Sequence, residues 1–163
     1  MNRKKVTRIL AQVCRFALAA LFLFTAGAKL TIIKAFAGNV GELLSATGIS
    51  QVRWMWPATV AVIATEIVIA GFLLWPRTVR AGALLGALLL FGFSAFALFY
   101  RYGLGNEEGL ECGCFGGIIA SQLGVSTALR NLALLVPTFI VFFGYRKRTA
   151  TRVSDHSEIN ATT

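Results

Sequence analysis

Residues Trp54–Trp75 read WMWPATVAVIATEIVIAGFLLW, an apolar run bracketed by tryptophan at both ends. At about 20 residues it is long enough to cross the hydrocarbon core of a bilayer as a helix. Indole rings prefer the headgroup level, so Trp54 and Trp56 at one end and Trp75 at the other mark the two interfaces independently of hydropathy. Pro76 and Arg77 end the run. This stretch decides the class of the protein: an all-α integral membrane chain, with the rest of the sequence arranged as further spans around it.

The composition agrees. Of 163 residues, 56% are hydrophobic and only 14% charged, with a mean hydropathy of +0.71. A soluble domain of this size could not cover its surface with so few polar residues. The length allows one domain. The formal net charge is +9, from 16 Lys and Arg against 7 Asp and Glu. Nucleic-acid binding is not the reading, because the basic residues sit at the ends of apolar runs and in the tails, where orientation signals belong.

Working outward, Val79–Tyr100 is a second such run, joined to the first by a very short turn that makes the two antiparallel neighbours. It is rich in small residues, including Gly82, Gly86, Gly92, Ser94, Ala95 and Ala97, which let helix backbones approach closely in lipid. The Gly82-x-x-x-Gly86 spacing suits packing within the chain better than a dimer face. Upstream, Met1–Arg8 carries Arg3, Lys4, Lys5 and Arg8, followed by an apolar run over Ile9–Leu30. Ala26-Gly27-Ala28 imitates a signal-peptide cleavage site, but the run contains Arg15 and Lys29 and is long for a signal core, so a retained helix is expected. Between these runs, Ile32, Ile33, Phe36, Val40, Leu43 and Leu44 recur at helical spacing, among Lys34, Asn39 and Glu42. Either a short amphipathic helix in the interface or a capping loop packed on the bundle accounts for this pattern. A last apolar run extends from about Ser126 to Tyr145, with Ser126 or Thr127 as its N-cap and a kink at Pro137.

The expected architecture is a four-helix transmembrane bundle over residues 9–145, preceded by a basic N-terminus at 1–8 and followed by a basic, disordered tail at 146–163. One side collects the N-terminal cluster, Arg77, Arg80 and Arg146-Lys147-Arg148. The other has Lys34, Arg53 and Arg101, with Glu107, Glu108 and Glu111 beside them. The positive-inside rule therefore places both termini in the cytoplasm and the loop between the third and fourth spans outside.

That loop holds Glu111-Cys112-Gly113-Cys114-Phe115-Gly116-Gly117, two of the three cysteines of the chain. The outward face is the oxidising one, where thiols pair or join a relay. In an extended strand Cys112 and Cys114 would lie about 6.5–7 Å apart at Cα, at the limit for a disulfide. Gly113 permits a tighter backbone, and so small a ring is strained and reducible. It would constrain little chain entropy, so stabilisation explains it poorly. Thiol–disulfide exchange at Cys112 and Cys114 is the favoured reading. Binding of Cu(I) or zinc has only these two ligands, since His156 lies in the opposite tail, so no metal site is expected. Cysteines with no chemistry remain the third alternative. Cys14 sits on the order of 20 Å away along the first helix and reads as a small core residue.

Other polar residues stand out by their position in apolar runs. An ionised carboxylate at Glu66 is expensive in the bilayer, so it should face the bundle interior and be either protonated or paired with Lys29, as a structural lock or as a proton or quinone-headgroup contact. Arg130 and Asn131 open the last span. Arg130 suits a thiolate, a quinone carbonyl or a headgroup anchor.

Taken together, Phe24-Thr25-Ala26-Gly27-Ala28-Lys29-Leu30, Glu66, Cys112-Gly113-Cys114-Phe115-Gly116 and Leu129-Arg130-Asn131-Leu132 resemble the MauE family of DoxX-like membrane proteins, over about Arg8 to Tyr145. The resemblance implies a bacterial inner-membrane protein that works with a periplasmic thioredoxin-like protein in maturing a disulfide-containing subunit, that of methylamine dehydrogenase in the family's namesake. It also implies Cys112 and Cys114 as exchanging residues, with Lys29, Glu66, Arg130 and Asn131 in support. No covalently bound cofactor is expected, and a membrane quinone is the candidate electron acceptor. The expectation from another class is a non-enzymatic membrane assembly factor or scaffold for an oxidoreductase complex.

Overall fold

The computed structural model describes residues 3–99, 102 and 128–145, and every regular element among them is helical. In chain order these are α1 (Arg3–Thr31), α2 (Ile33–Ala46), α3 (Gln51–Leu74), α4 (Val79–Leu98) and α5 (Ala128–Tyr145). Four of them, α1, α3, α4 and α5, are long and apolar enough to span a membrane. The expected four-span bundle is therefore present, with α2 as a fifth, shorter helix. The 1–8 and 146–163 tails were expected as separate segments. Helix α1 already begins at Arg3, and 146–163 lie outside the described residues, as do the Cys112/Cys114 stretch and the N-cap expected at Ser126 or Thr127.

Helix α3 is the hub, packing on α1, α2 and α4. It starts at Gln51, three residues before the tryptophan bracket, and carries Pro57 within its second turn. Trp54, Trp56 and Trp75 are all exposed, as anchors at a lipid surface must be. A tight turn at Trp75–Thr78 folds α4 back against α3, and the Thr78 hydroxyl donates to the carbonyl oxygens of Phe72 and Trp75. Gly82 then lies so close to α3 that an added Cβ would stand 2.9 Å from Leu73 N and Phe72 Cβ. At Gly86 the neighbours are the Phe22 ring and Ile69, at 3.4–3.5 Å. The small-residue spacing thus serves packing within the chain, as its sequence suggested. Close helix approach is where van der Waals contact accumulates when lipid offers no hydrophobic drive.

Helix α2 settles the choice left open for residues 31–53. It is a helix, and it packs on the bundle: Phe36, Ala37 and Gly41 are buried, with Phe36 against Ala26 and Ile63. Its Schellman-like end passes through Gly48 at φ 77°, a left-handed conformation that glycine adopts without steric penalty. Ile49 N–H returns to the Leu44 carbonyl there.

The fifth helix closes the bundle against α1 and α4. Gly144 meets Ala11, Arg80 lies over the Phe142 ring at 5.3 Å, and the Ser94 hydroxyl reaches the Ala128 carbonyl at 3.4 Å. Most of the core is a single cluster of small and aliphatic side chains from α1, α3, α4 and α5. Cys14 is half-buried at its margin, which matches its reading as a small core residue.

Candidate functional site

Two buried polar clusters interrupt this apolar bundle. The first lies near the ends of α3 and α5 and centres on Arg15. Its Nε donates to the Leu73 carbonyl at 2.5 Å, Nη2 to the Leu74 carbonyl at 2.6 Å, and Nη1 to the Tyr145 hydroxyl at 3.0 Å. The guanidinium also stacks over Phe16 and Tyr145. The last carbonyls of a helix have no partners within it and carry the negative end of its dipole, so an arginine is well matched to that position. This cluster joins α1, α3 and α5 at one end of the bundle. Sequence reasoning gave Arg15 no role there; the available signal was an arginine within an apolar span, which must find partners inside the protein.

The second cluster contains residues the sequence singled out. Lys29 occupies the last turn of α1 and Glu66 lies eight residues before the end of α3. Lys29 Nζ is 2.5 Å from Glu66 Oε1, with Lys29 1% and Glu66 4% exposed. Helical side chains lean toward the N-terminus of their own helix, so Lys29 reaches back into the bundle from near the end of α1. Its Nζ also lies 5.5 Å from the centre of the Phe36 ring, which brings α2 into the same cluster. The pairing anticipated for these two residues is present.

Asn131, in the first turn of α5, is the third member. It is 4% exposed and shares a small cavity of about 30 Å³ with Glu66, Thr25, Phe22 and Phe93. Arg130, its neighbour, is half-buried and is not among the residues lining that cavity. Three of the four expected supporting residues therefore converge, each from a different helix. Cys112 and Cys114 lie outside the described residues.

Beside the ion pair opens a larger chamber of about 310 Å³. Its walls come from α2 (Phe36, Val40, Leu43, Leu44), α3 (Val62) and α4 (Phe93, Phe96), and among the described residues Lys29 is its one charged wall residue. Phe93 faces both spaces. This chamber was not legible in the sequence, because it depends on α2 folding back as a helix against the bundle. Among the described residues no group of three or more His, Cys, Asp or Glu stands close enough to hold a metal ion.

Neither the curated proteins nor the solved structures compared with this chain give a match. The family model described as methylamine utilisation protein MauE matches residues 7–144, which takes in all four spans, the Lys29–Glu66–Asn131 cluster and the Cys-Gly-Cys sequence. The chain belongs to the MauE family of membrane proteins.

Proposed function

We propose that this protein supports thiol–disulfide exchange at the outer face of a bacterial inner membrane, with Cys112 and Cys114 as the exchanging pair. The observation that carries this reading is the position of the Cys-Gly-Cys sequence between α4 and α5, whose facing ends are tied by the Ser94–Ala128 hydrogen bond. The antiparallel order of the spans puts the start of α1, the turn between α3 and α4, and the end of α5 at one end of the bundle, where Arg15 joins them. Arg77, Arg80 and the N-terminal basic cluster accumulate at that same end, so it is assigned to the cytoplasm. The cysteine segment then faces the periplasm.

In the exchange, a thiolate of the reduced pair attacks a disulfide of a periplasmic thioredoxin-like protein, or the reverse, through a mixed disulfide. The two electrons pass between the pairs, and the disulfide of one protein is gained as that of the other is lost. The maturing disulfide-containing subunit, of the kind found in methylamine dehydrogenase, is the eventual client. The apolar chamber with an ammonium in its wall suits a membrane quinone, whose carbonyl oxygen accepts a hydrogen bond from Lys29. When bound, such a quinone supplies a two-electron, two-proton acceptor. Lys29 orients it, Glu66 holds Lys29 in place, and the surrounding phenylalanines exclude water.

One observation favours a second reading. A four-helix relay that passes electrons onward by thiol exchange alone needs two cysteine pairs, and Cys14 is the chain's only cysteine besides Cys112 and Cys114. The protein would then be a membrane scaffold that docks a partner carrying the chemistry. The test is the redox state of Cys112 and Cys114 in native membranes, followed by differential alkylation with a thioredoxin-like protein and with quinone. A pair that is reduced by the partner and reoxidised by quinone supports exchange. A Cys112→Ser protein that still sustains oxidation of the client establishes the scaffold.

A further inference from the structure

The cavity between Glu66 and Asn131 carries an inference independent of the thiol chemistry. Among the described residues, two buried side-chain atoms have no hydrogen-bond partner: Glu66 Oε2 and Asn131 Nδ2. One is an acceptor and the other a donor, and the two residues line the same cavity. Leaving either atom unsatisfied costs about 1–3 kcal/mol, and more for a charged group, so two complementary orphans around one void demand an occupant.

The third polar group on the wall is Thr25. Its Oγ1 donates to the Phe22 carbonyl at 3.1 Å and also stands within hydrogen-bonding reach of the Glu66 carboxylate, and its lone pairs remain available to the cavity. The rest of the wall is apolar, from Leu21, Phe22, Leu89, Leu90, Phe93 and Leu134. The volume of about 30 Å³ has room for a water molecule.

We infer that this cavity is a binding site for a single structural water, which donates to Glu66 Oε2 and to Thr25 Oγ1 and accepts from Asn131 Nδ2. The arrangement gives the water three hydrogen bonds, the usual number for a buried one. It satisfies both orphaned atoms at once. It also links the first turn of α5 to the Lys29–Glu66 pair, so that one hydrogen-bonded chain runs from α5 through α3 to α1. The water therefore positions Glu66 from the side opposite Lys29.

X-ray hydroxyl-radical footprinting with mass-spectrometric readout, on the full chain in lipid nanodiscs, tests this directly. Radiolysis of an ordered internal water oxidises the side chains that touch it. Leu90, 5% exposed, should be oxidised several-fold faster than Leu18, which at 3% exposed is about as buried in the same core cluster but lines neither cavity. Asn131→Leu removes the donor and fills the space, and should bring that rate down to that of Leu18. Leu89→Phe keeps all three polar groups while filling the cavity from its apolar side, and should do the same if Asn131→Leu fails to fold. A wild-type rate at Leu90 equal to that of Leu18 would overturn the inference. Rates that stay high in the filled variants would overturn it too, by placing the reactive water elsewhere.

Discussion

The Lys29–Glu66 pair allows a quantitative test of what holds the bundle together. Both side chains are withdrawn from lipid and water, so each ion depends on the other for its solvation. Replacing Lys29 with Met deprives Glu66 Oε1 of its partner while Oε2 has none among the described residues. Breaking a buried pair from one side costs about 3–5 kcal/mol. Glu66→Leu is expected to cost about 1–2 kcal/mol less than Lys29→Met, because the lysine left behind retains the Phe36 ring at 5.5 Å. The double variant Lys29→Met/Glu66→Leu removes both charges, and volume-matched apolar pairs in such places are about neutral. The double-mutant cycle should therefore give a coupling energy of about 4–9 kcal/mol, the sum of the two single losses, with the double variant more stable than either single one. Reversible unfolding in mixed micelles titrated with SDS, followed by far-ultraviolet circular dichroism, measures all four proteins. Additive single losses, or single losses below about 1 kcal/mol, would refute the buried-ion-pair account. The double variant also separates lock from ligand contact: a stable double variant that no longer supports client oxidation assigns the pair a role in chemistry.

Arg15→Met should destabilise the bundle by about 3–5 kcal/mol in the same titration, since it frees the Leu73 and Leu74 carbonyls and the Tyr145 hydroxyl together. Arg15→Lys should recover less than half of that, because a single ammonium cannot reproduce the guanidinium fork. Gly82→Ala forces a methyl within 2.9 Å of α3 backbone and should cost about 1–3 kcal/mol, whereas Gly86→Ala, facing side chains at 3.4 Å and beyond, should cost less than 1 kcal/mol. Phe36→Ala should cost about 3–5 kcal/mol and loosen α2, read as faster amide exchange over residues 33–46 with the exchange of α3 unchanged.

The parts legible in the sequence were those fixed by the bilayer itself. Hydrocarbon thickness sets span length and the headgroup layer collects indoles, so Trp54, Trp56 and Trp75 gave the position of α3 to within a few residues. Buried charges in lipid are rare enough that Lys29 stood out as the candidate partner of Glu66, the alternative being a protonated carboxyl, and the fold brings the two together. What the sequence left open depends on contacts between distant elements. Residues 31–53 fitted a helix or a loop because an amphipathic pattern does not say what its apolar face will meet; Ala26 and Ile63 decide that for Phe36. Arg15 looked like an argument about signal peptides, and its role emerges only when the ends of α3 and α5 arrive beside it. The same holds for Asn131, where the sequence singled out the residue and only the fold gives it Glu66 and Thr25 as company.

The two polar clusters also divide the work of holding α5, the helix least able to hold itself. Its buried residues are few, Ala128, Asn131, Thr138, Val141 and Tyr145, and two of its phenylalanines, Phe139 and Phe143, face outward. In lipid such a helix gains little from apolar burial, because the tails it leaves are as apolar as the helices it joins. The specific contacts therefore fall near its ends: Tyr145 against Arg15 at one, Ala128 against Ser94 and Asn131 on the Glu66 cavity at the other. The second of these matters for function. In sequence Cys112 and Cys114 lie between α4 and α5, so whatever fixes the start of α5 also fixes the point where that segment ends. If the two cysteines exchange as proposed, weakening the Glu66–Asn131 cavity at Asn131 is expected to alter the rate of exchange before it alters the fold.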